Sequence, residues 1–151
     1  MVLVDTSVLI DFFKGTTNES VELFEKILDK KIPFAISILT YQEILQGARN
    51  EKEFDMLKSY LSTQNILMLP NNNLDFFNKA SWIRYSLREK GITIRNTVDL
   101  LIAMTALHHK CSLLQNDKDF KYIAEECKEL QFFVGFAHTS SGQSETHGFM
   151  T

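Results

Sequence analysis

The chain has 151 residues, a length typical of one domain built around one hydrophobic core. Its hydrophobic content of 44% and its charged content of 23% are ordinary for a soluble globular protein, and its longest apolar stretches fall well short of the ~18 residues of a membrane-spanning helix. The formal net charge of −3 argues against a protein that binds nucleic acid strongly through a basic surface alone.

Short apolar runs alternate along the chain with longer segments whose apolar residues recur at helical spacing. The runs predicted as strands are residues 2–4, 34–36, 66–69, 112–114 and 132–134. The segments predicted as helices are residues 7–13, 19–30, 39–48, 51–61, 74–90, 98–109 and 119–126. Strands that are continuously apolar are typical of a parallel sheet covered on both faces. The alternation therefore predicts a three-layer α/β fold, with a central, mainly parallel five-stranded sheet flanked by helices.

Residues 1–136 are predicted to form this domain, and residues 137–151 to form a polar tail outside it. From His138 the chain reads HTSSGQSETHGFMT, which is poor in large apolar residues, so the tail is expected to be loosely held or ordered only against a neighbour. The first apolar run has no basic leader and is interrupted at Asp5. Together with the lack of a membrane-spanning stretch, this predicts a cytoplasmic protein.

Four carboxylates adjoin apolar runs, where burial is expected. Asp5 closes the run VLV, Glu43 lies within ILTYQEIL, Asp99 lies at the start of VDLLIA, and Asp117 follows SLLQN. Burying an ionised carboxylate without a partner is very costly. Divalent cations would offset all four charges, and ligand sets made only of oxygen suit Mg²⁺ or Mn²⁺. The pattern predicts a metal-dependent site that cleaves phosphodiester bonds.

The predicted elements bring these acids towards one edge of the sheet. Asp5 and Asp117 both follow strands, and ligands of open α/β sheets bind beyond the carboxyl ends of the strands. Asp99 lies in the first turn of a helix, where the helix dipole favours a negative charge. Each acid also has an ordinary structural explanation: a helix cap for Asp5, an exposed helix position for Glu43, a first-turn acid for Asp99 and a turn residue for Asp117.

Four segments together resemble a known family: VLVDTSVLIDFF, SILTYQEILQGA, NTVDLLIAMTA and SLLQNDKDF. In this order and at these distances they resemble a PIN-domain ribonuclease of the VapC toxin type. The resemblance runs from residue 1 to residue 136, and it implies a PIN-like fold and a Mg²⁺- or Mn²⁺-dependent endoribonuclease. It implies that Asp5, Glu43 and Asp99 are catalytic metal ligands, and that Asp117 completes the site directly or through water. It also implies a homodimer and a VapB-like antitoxin whose C-terminal segment blocks the acidic cleft.

One position departs from the family pattern. Gln115 stands two residues before Asp117, where VapC-like chains usually carry Thr or Ser. A hydroxyl group there helps to hold the acidic cluster, so Gln115 or Asn116 is expected to replace it as an amide donor. The departure leaves Asp119 as a competitor of Asp117 for the fourth acidic position, although Asp119 is also a suitable first residue of a helix.

Residues around Asp5 are candidates for supporting roles. Thr6 or Ser7 is expected to hydrogen-bond a metal-bound water or to orient Asp5, although Thr6 is equally suited to capping the first helix. Asp11 lies six residues after Asp5 on this helix, so it is predicted to face another side and to be a surface or ion-paired residue. Four cations are candidates for contacts with RNA phosphates, and a solvated surface role is the simpler explanation of each: Lys14, Arg49, Arg84 and Arg95.

Two further hypotheses remain open from the sequence. A PIN nuclease could act in RNA processing without an antitoxin, and a degenerate PIN fold could serve only as a protein-interaction module. Four intact acids argue against the second, and Gln115 is the feature that favours it. For an antitoxin, the candidate docking residues are Leu57, Tyr60 and Leu61, although burial within the domain would explain each of them.

Overall fold

The structure is a computed structural model that describes residues 1–137 and 146–150. Its strands are β1 (Val2–Val4), β2 (Phe34–Ser37), β3 (Asn65–Leu67), β4 (Ser112–Leu114), β5 (Phe132–Ala137) and β6 (Thr146–Met150). Its helices are α1 (Thr6–Lys14), α2 (Glu19–Asp29), α3 (Ile38–Gln46), α4 (Glu51–Leu61), α5 (Leu74–Glu89), α6 (Thr97–His108) and α7 (Asp119–Glu126). Every predicted strand and helix is present, with small shifts at the ends. In these ranges, no helix combines the length and the apolar character needed to cross a membrane.

The sheet has the strand order β3-β2-β1-β4-β5-β6, and β1 to β5 are all parallel. Val2 of β1 pairs with Phe34 on one side and with Ser112 on the other. The chain proceeds from β1 through β2 to β3 and then returns to the far side of β1 for β4. The order therefore reverses between β1 and β4, and open α/β sheets bind ligands beyond the carboxyl ends of strands at such a point.

Helices cover both faces of the sheet and create two hydrophobic clusters. Successive side chains of a strand point to opposite faces, so Leu3 joins one cluster while Val2 and Val4 join the other. The Leu3 cluster includes residues of α5, α6 and α7, such as Ile83, Ile102 and Phe120. The Val2 cluster includes residues of α1 to α4, such as Val8, Phe24, Ile44 and Leu61. The predicted three-layer architecture is confirmed, and burial on both faces explains the continuously apolar strands.

β6 is an addition to the predicted sheet. It pairs with β5 in the antiparallel direction, with Phe132 opposite Met150 and Ala137 opposite Thr146. Residues 146–150 of the predicted tail are thus part of the sheet, whereas residues 138–145 and 151 lie outside the described part of the chain. Strands pair through main-chain hydrogen bonds, so the polar composition of the tail did not reveal that it contains β6.

Candidate metal centre

Asp5 follows β1 directly and is almost completely buried, with 2% of its surface exposed. Its carboxylate caps α1, because Oδ2 accepts hydrogen bonds from the Ser7 N–H at 3.0 Å and from the Ser7 hydroxyl at 2.6 Å. The other oxygen, Oδ1, is buried without a hydrogen-bond partner among the described residues. Burial raises the pKa of Asp5 to about 6, although the bonds from Ser7 act in the opposite direction. Asp5 is therefore a helix cap that keeps one oxygen available for another ligand.

Glu43 lies on α3, is half-buried, and is held by a hydroxyl group of α1. Thr6 Oγ1 lies 2.7 Å from Glu43 Oε1 and 2.9 Å from Thr40 Oγ1. Because an ionised carboxylate only accepts, Thr6 gives its single hydroxyl proton to Glu43, and Thr40 donates to Thr6. Of the two residues expected to orient Asp5, Ser7 does so, whereas Thr6 orients Glu43.

Asp99 lies in the first turn of α6, which Asn96 caps by accepting a hydrogen bond from the Val98 N–H. The Asp99 side chain is half-buried, and no described residue donates a hydrogen bond to its carboxylate. Its pKa is raised to about 7, first by burial and then by the negative charges of Asp5, Asp117, Glu43 and Asp119. Asp99 therefore lies close enough to the other four acids for their charges to act on it.

The connection from β4 to α7 brings two acids to Asp99. One carboxylate oxygen from each of Asp99, Asp117 and Asp119 lies within 4.8 Å of the other two. The Asp119 N–H donates to Asp117 Oδ1 at 3.0 Å, and Asp119 is the more buried of the pair, with 3% of its surface exposed. The backbone N–H of Arg95 donates to Asp119 Oδ2 at 3.4 Å, and the Arg95 Nε lies 3.9 Å from the same oxygen. The two candidates for the fourth acidic position therefore lie in the site together.

Gln115 acts as an acceptor, not as the expected donor. Its Oε1 accepts the Asp117 N–H at 2.7 Å, a bond that a Ser or Thr oxygen can also make to the backbone two residues on. The Asn116 side-chain amide does donate, but its acceptor is Asp11 Oδ2, at 3.0 Å. The predicted ion pair of Asp11 is not found in the described ranges, where this half-buried carboxylate accepts from the amides of Asn18 and Asn116.

The four cations considered for RNA contacts differ in their surroundings. Arg95 contacts the acidic cluster directly. Arg84 donates to the Thr97 hydroxyl at 2.8 Å, at the start of the helix that carries Asp99. Arg49 forms an exposed ion pair, and Lys14 is exposed in the last turn of α1. Arg95 is thus the cation that the acidic site itself holds.

Comparison with protein families identifies the domain. A family model described as PIN domain matches residues 2–126. The chain belongs to the PIN-domain family.

Relatives and solved structures place this PIN domain more narrowly. VapC ribonuclease Mb1587 of Mycobacterium bovis is 30% identical over 128 residues, which cover 82% of this chain and 92% of that protein. Ribonuclease VapC1 of Methanocaldococcus jannaschii is 31% identical over 125 residues, covering 82% of each chain. VapBC2 of Rickettsia felis, solved bound to a DNA fragment of its promoter, superposes with a TM-score of 0.61 at 25% identity, covering 86% of this chain and 96% of that one. The resemblance to VapC ribonucleases is confirmed.

The side chains of this PIN domain fit a divalent cation. Asp5 offers a buried oxygen without a hydrogen-bond partner, and Asp99, Asp117 and Asp119 offer oxygens close enough to share one ion. All of these donors are oxygens, which suit a hard divalent cation and not a metal that selects thiolate or imidazole ligands. The pKa values of Asp5 and Asp99 are raised because both carboxylates are buried beside other carboxylates, without a positive charge among the described residues to compensate them. A bound cation would supply that charge.

Proposed function

We propose that this protein is a metal-dependent endoribonuclease that cleaves RNA phosphodiester bonds, and that it is the toxin of a VapBC-like toxin–antitoxin pair. The observation that carries the proposal is the convergence of five carboxylates around the carboxyl ends of β1 and β4. This convergence occurs in a chain that belongs to the VapC ribonucleases, at the position where an open α/β sheet binds its ligand.

The proposed catalytic and metal-binding residues are Asp5, Glu43, Asp99 and Asp117, and the proposed ion is Mg²⁺ or Mn²⁺. When bound, such an ion neutralises the charge of the scissile phosphate and lowers the pKa of a coordinated water. The chain itself holds the carboxylates in place, through the hydroxyl groups of Ser7 and Thr6 on one side of the site. Asp119 is a fifth acid, which contacts Asp117 through its backbone N–H.

The charge of the chain supports a metal-dependent attraction of RNA. The protein carries a net charge of −3, and the acidic site without a cation repels a phosphate group. A bound divalent cation is the largest local charge in such a site and reverses the sign of the interaction. RNA binding at the site is therefore expected to require the metal.

An exposed apolar surface on α1 and α4 is the proposed docking surface for the antitoxin. Phe13 and Tyr60 are 41% and 40% exposed, and their ring centroids lie 5.8 Å apart in an edge-to-face arrangement. Of the docking residues suggested by the sequence, Tyr60 is exposed and Leu57 is half-buried, whereas Leu61 is buried in the core and does not belong to this surface. An amphipathic segment of the antitoxin fits such a surface, and an Arg beyond it would offset the carboxylates.

The proposal includes three broader expectations. The protein is expected to form a homodimer, as the VapC family pattern implies, and to be cytoplasmic, as its apolar pattern indicates. Residues 1–136 are proposed to form the catalytic domain and residues 137–151 a polar C-terminal tail, of which Thr146–Met150 pairs with β5 as strand β6.

Cleavage of RNA by the purified protein tests the enzymatic part. Wild-type protein should cleave RNA with Mn²⁺ or Mg²⁺ and not with EDTA, and end mapping should find 5′-phosphates. Asp99→Asn removes a ligand charge while keeping the side-chain shape, so cleavage should fall by at least about 100-fold with an unchanged circular dichroism spectrum. Asp29→Asn, an exposed acid at the end of α2, is the control. Full activity of a folded, contaminant-free Asp99→Asn protein would exclude the proposed site.

Expression in a bacterial host separates a toxin from the two other hypotheses. Wild-type protein should arrest growth, Asp5→Asn protein should not, and co-expression of the small protein encoded by the adjacent gene should relieve the arrest and give a stable complex. If the two forms are equally harmless at equal levels, the toxin hypothesis fails in that host. RNA cleavage in vitro would then favour a processing nuclease, and its absence would favour an interaction module.

A further inference from the structure

Two side chains of α1 hold the loop that carries Asp117. Ser7 and Asp11 are four residues apart and therefore share one face of the helix. Ser7 Oγ accepts the backbone N–H of Asn116 at 3.2 Å, and Asp11 Oδ2 accepts the side-chain amide of Asn116 at 3.0 Å. The residue directly before Asp117 is thus bound to α1 through both its backbone and its side chain.

The start of α2 holds the same loop. Asp11 Oδ2 also accepts the Asn18 side-chain amide at 3.0 Å, while Asn18 Oδ1 caps α2 by accepting the Val21 N–H at 2.9 Å. Ser20 donates its hydroxyl to the Gln115 carbonyl at 2.9 Å. Asp11 of α1 therefore binds both Asn18, which caps α2, and Asn116, in the loop after β4.

We propose that Asp11 is a positioning residue of the metal site, which fixes Asn116 and thereby the carboxylate of Asp117 relative to Asp5. The inference rests on the proposed function, because it gives Asp11 a purpose only if Asp117 is a metal ligand. The path to Asp5 is short: Ser7, which accepts from the Asn116 backbone, donates its own proton to Asp5 Oδ2 at 2.6 Å. One helical turn therefore sets the position of two of the proposed ligands.

The chemistry of Asp11 suits this role. Hydrogen bonds to an ionised carboxylate are about twice as strong as bonds between neutral groups. Asp11 and Asn18 are half-buried, which limits competition from water for the bond between them. The bond from Asn116 is solvent-exposed, and the backbone bond of Asn116 to Ser7 reinforces it. Hydrogen-bonding partners that orient metal ligands typically change metal affinity or activity by about 10- to 100-fold when they are removed. Loss of Asp11 is therefore expected to weaken metal binding without removing a ligand.

A purely structural role for Asp11 predicts a different result. If Asp11 only joins α1 to α2 through Asn18, its loss should lower the melting temperature and leave metal affinity unchanged. If it acts through Asn116, then Asp11→Ala and Asn116→Ala should each weaken Mn²⁺ binding by about 10-fold, and the double variant should be little weaker than either. Asp11→Asn keeps one oxygen as an acceptor and should bind Mn²⁺ with intermediate affinity.

The experiment combines calorimetric titration of the full chain with Mn²⁺ and amide hydrogen exchange of the metal-free protein. Asp11→Ala should speed exchange at Asn116 and Asp117, whereas Asp29→Ala, at an exposed acid of α2, should leave both exchange and Mn²⁺ binding unchanged. Should Asp11→Ala not fold, Asn116→Ala and Asp11→Asn carry the same test.

Two failures of this experiment are distinguishable. Wild-type affinity for Mn²⁺ in folded Asp11→Ala and Asn116→Ala proteins would overturn the positioning role, whether or not the loop exchanges faster. A wild-type protein that binds no Mn²⁺ and cleaves no RNA would overturn the proposed function itself and, with it, the assignment of Asp11 to a metal site, even if the loop exchanges faster in Asp11→Ala.

Discussion

Asp5 and Glu43 each receive a hydrogen bond from a hydroxyl group, whereas Asp99 receives none from the described residues. The donors Thr6 and Ser7 are consecutive residues at the start of α1. Elsewhere in the site, one carboxylate oxygen from each of Asp99, Asp117 and Asp119 lies within 4.8 Å of the other two. We refer to Asp5 and Glu43 as the hydroxyl-held pair and to the three others as the carboxylate cluster.

The difference shows that the protein itself orients only part of the site, although Asp5, whose Oδ1 is buried without a hydrogen-bond partner among the described residues, also lacks a compensating charge. The hydroxyl-held pair is oriented by donors that belong to the protein, so we expect its geometry to depend on metal less than that of the carboxylate cluster. The carboxylate cluster gathers negative charges with the largely exposed Arg95 as the contacting cation, which contributes little because water screens it. The order of the cluster and its contribution to stability should therefore depend on metal and on pH.

The largest expected effect is the rise in protein stability when the carboxylate cluster binds a metal ion. An ion that binds only the folded state adds about 4 kcal/mol to the free energy of unfolding at a concentration 1,000 times its Kd. Thermal melting in Mn²⁺ or Mg²⁺ against EDTA should show a clear rise, most of which Asp99→Asn should lose and Asp29→Asn should keep. Equal melting temperatures for the wild-type protein with EDTA and with saturating metal would count against the site.

The second largest effect is expected in the stability of the metal-free protein, which should depend on pH. The pKa values of about 6 for Asp5 and about 7 for Asp99 exceed the ordinary value of 3.8, so the folded protein binds more protons than the unfolded chain between these values. The free energy of unfolding should therefore fall as pH rises from about 4 to about 7. For the buried Asp5 this amounts to about 3 kcal/mol.

Melting in EDTA across this pH range tests the prediction. Asp5→Asn should flatten the decline, because the amide has no proton to lose, and saturating metal should abolish it in the wild-type protein. If Asp5→Asn and wild-type proteins lose stability in parallel between pH 4 and pH 7, Asp5 does not carry the raised pKa.

Thr6→Val breaks the hydroxyl-held pair while keeping the shape of the side chain. Glu43 loses its donor at 2.7 Å, so RNA cleavage at limiting metal should fall by about 10- to 100-fold. Thr6→Ser keeps the hydroxyl group and should retain most of the activity. Thr16→Val, at an exposed position beyond α1, serves as the control. Equal cleavage by the folded Thr6→Val and wild-type proteins would show that Thr6 is dispensable for the orientation of Glu43.

Substitution of Gln115 is expected to have the smallest effect on metal-dependent cleavage. Gln115→Ala removes the acceptor of the Asp117 N–H, which costs about 1 kcal/mol and should raise the Mn²⁺ concentration needed for half-maximal cleavage by several-fold. Gln115→Thr supplies a hydroxyl oxygen at the same position and should restore the wild-type value. A larger loss with Thr than with Ala would mean that the departure from the family pattern has another purpose.

Local patterns explain how far the sequence could predict the fold. Apolar runs and helical spacing are properties of neighbouring residues, so the strands β1 to β5 and all seven described helices were predicted within a few residues. The strand order and β6 depend on which main-chain groups pair across the sheet, and the composition of residues 137–151 carries no signal for that.

Some residues of the candidate site could likewise be predicted from local patterns, and others could not. Asp5 and Asp117 were placed at the sheet edge because they follow strands, and Asp99 because it opens a helix. Asp119 was underestimated, although its spacing of two residues from Asp117 was a signal that could have suggested a shared site. Asp11 was predicted to face another side than Asp5, as a surface or ion-paired residue. Instead it shares a helix face with Ser7 and binds Asn116, and the periodicity of one helix cannot show what packs against it.

The sequence by itself determined the layered α/β architecture and the presence of acids beside strand ends, because hydrophobic periodicity and chain direction act over a few residues. The tertiary structure alone decided that Thr6 holds Glu43, that Asp119 joins Asp99 and Asp117, and that Asp11 binds Asn116. The physical reason is the range of these contacts: Asp11 and Asn116 are 105 residues apart, and a hydrogen bond needs its two atoms placed to within a few tenths of an ångström.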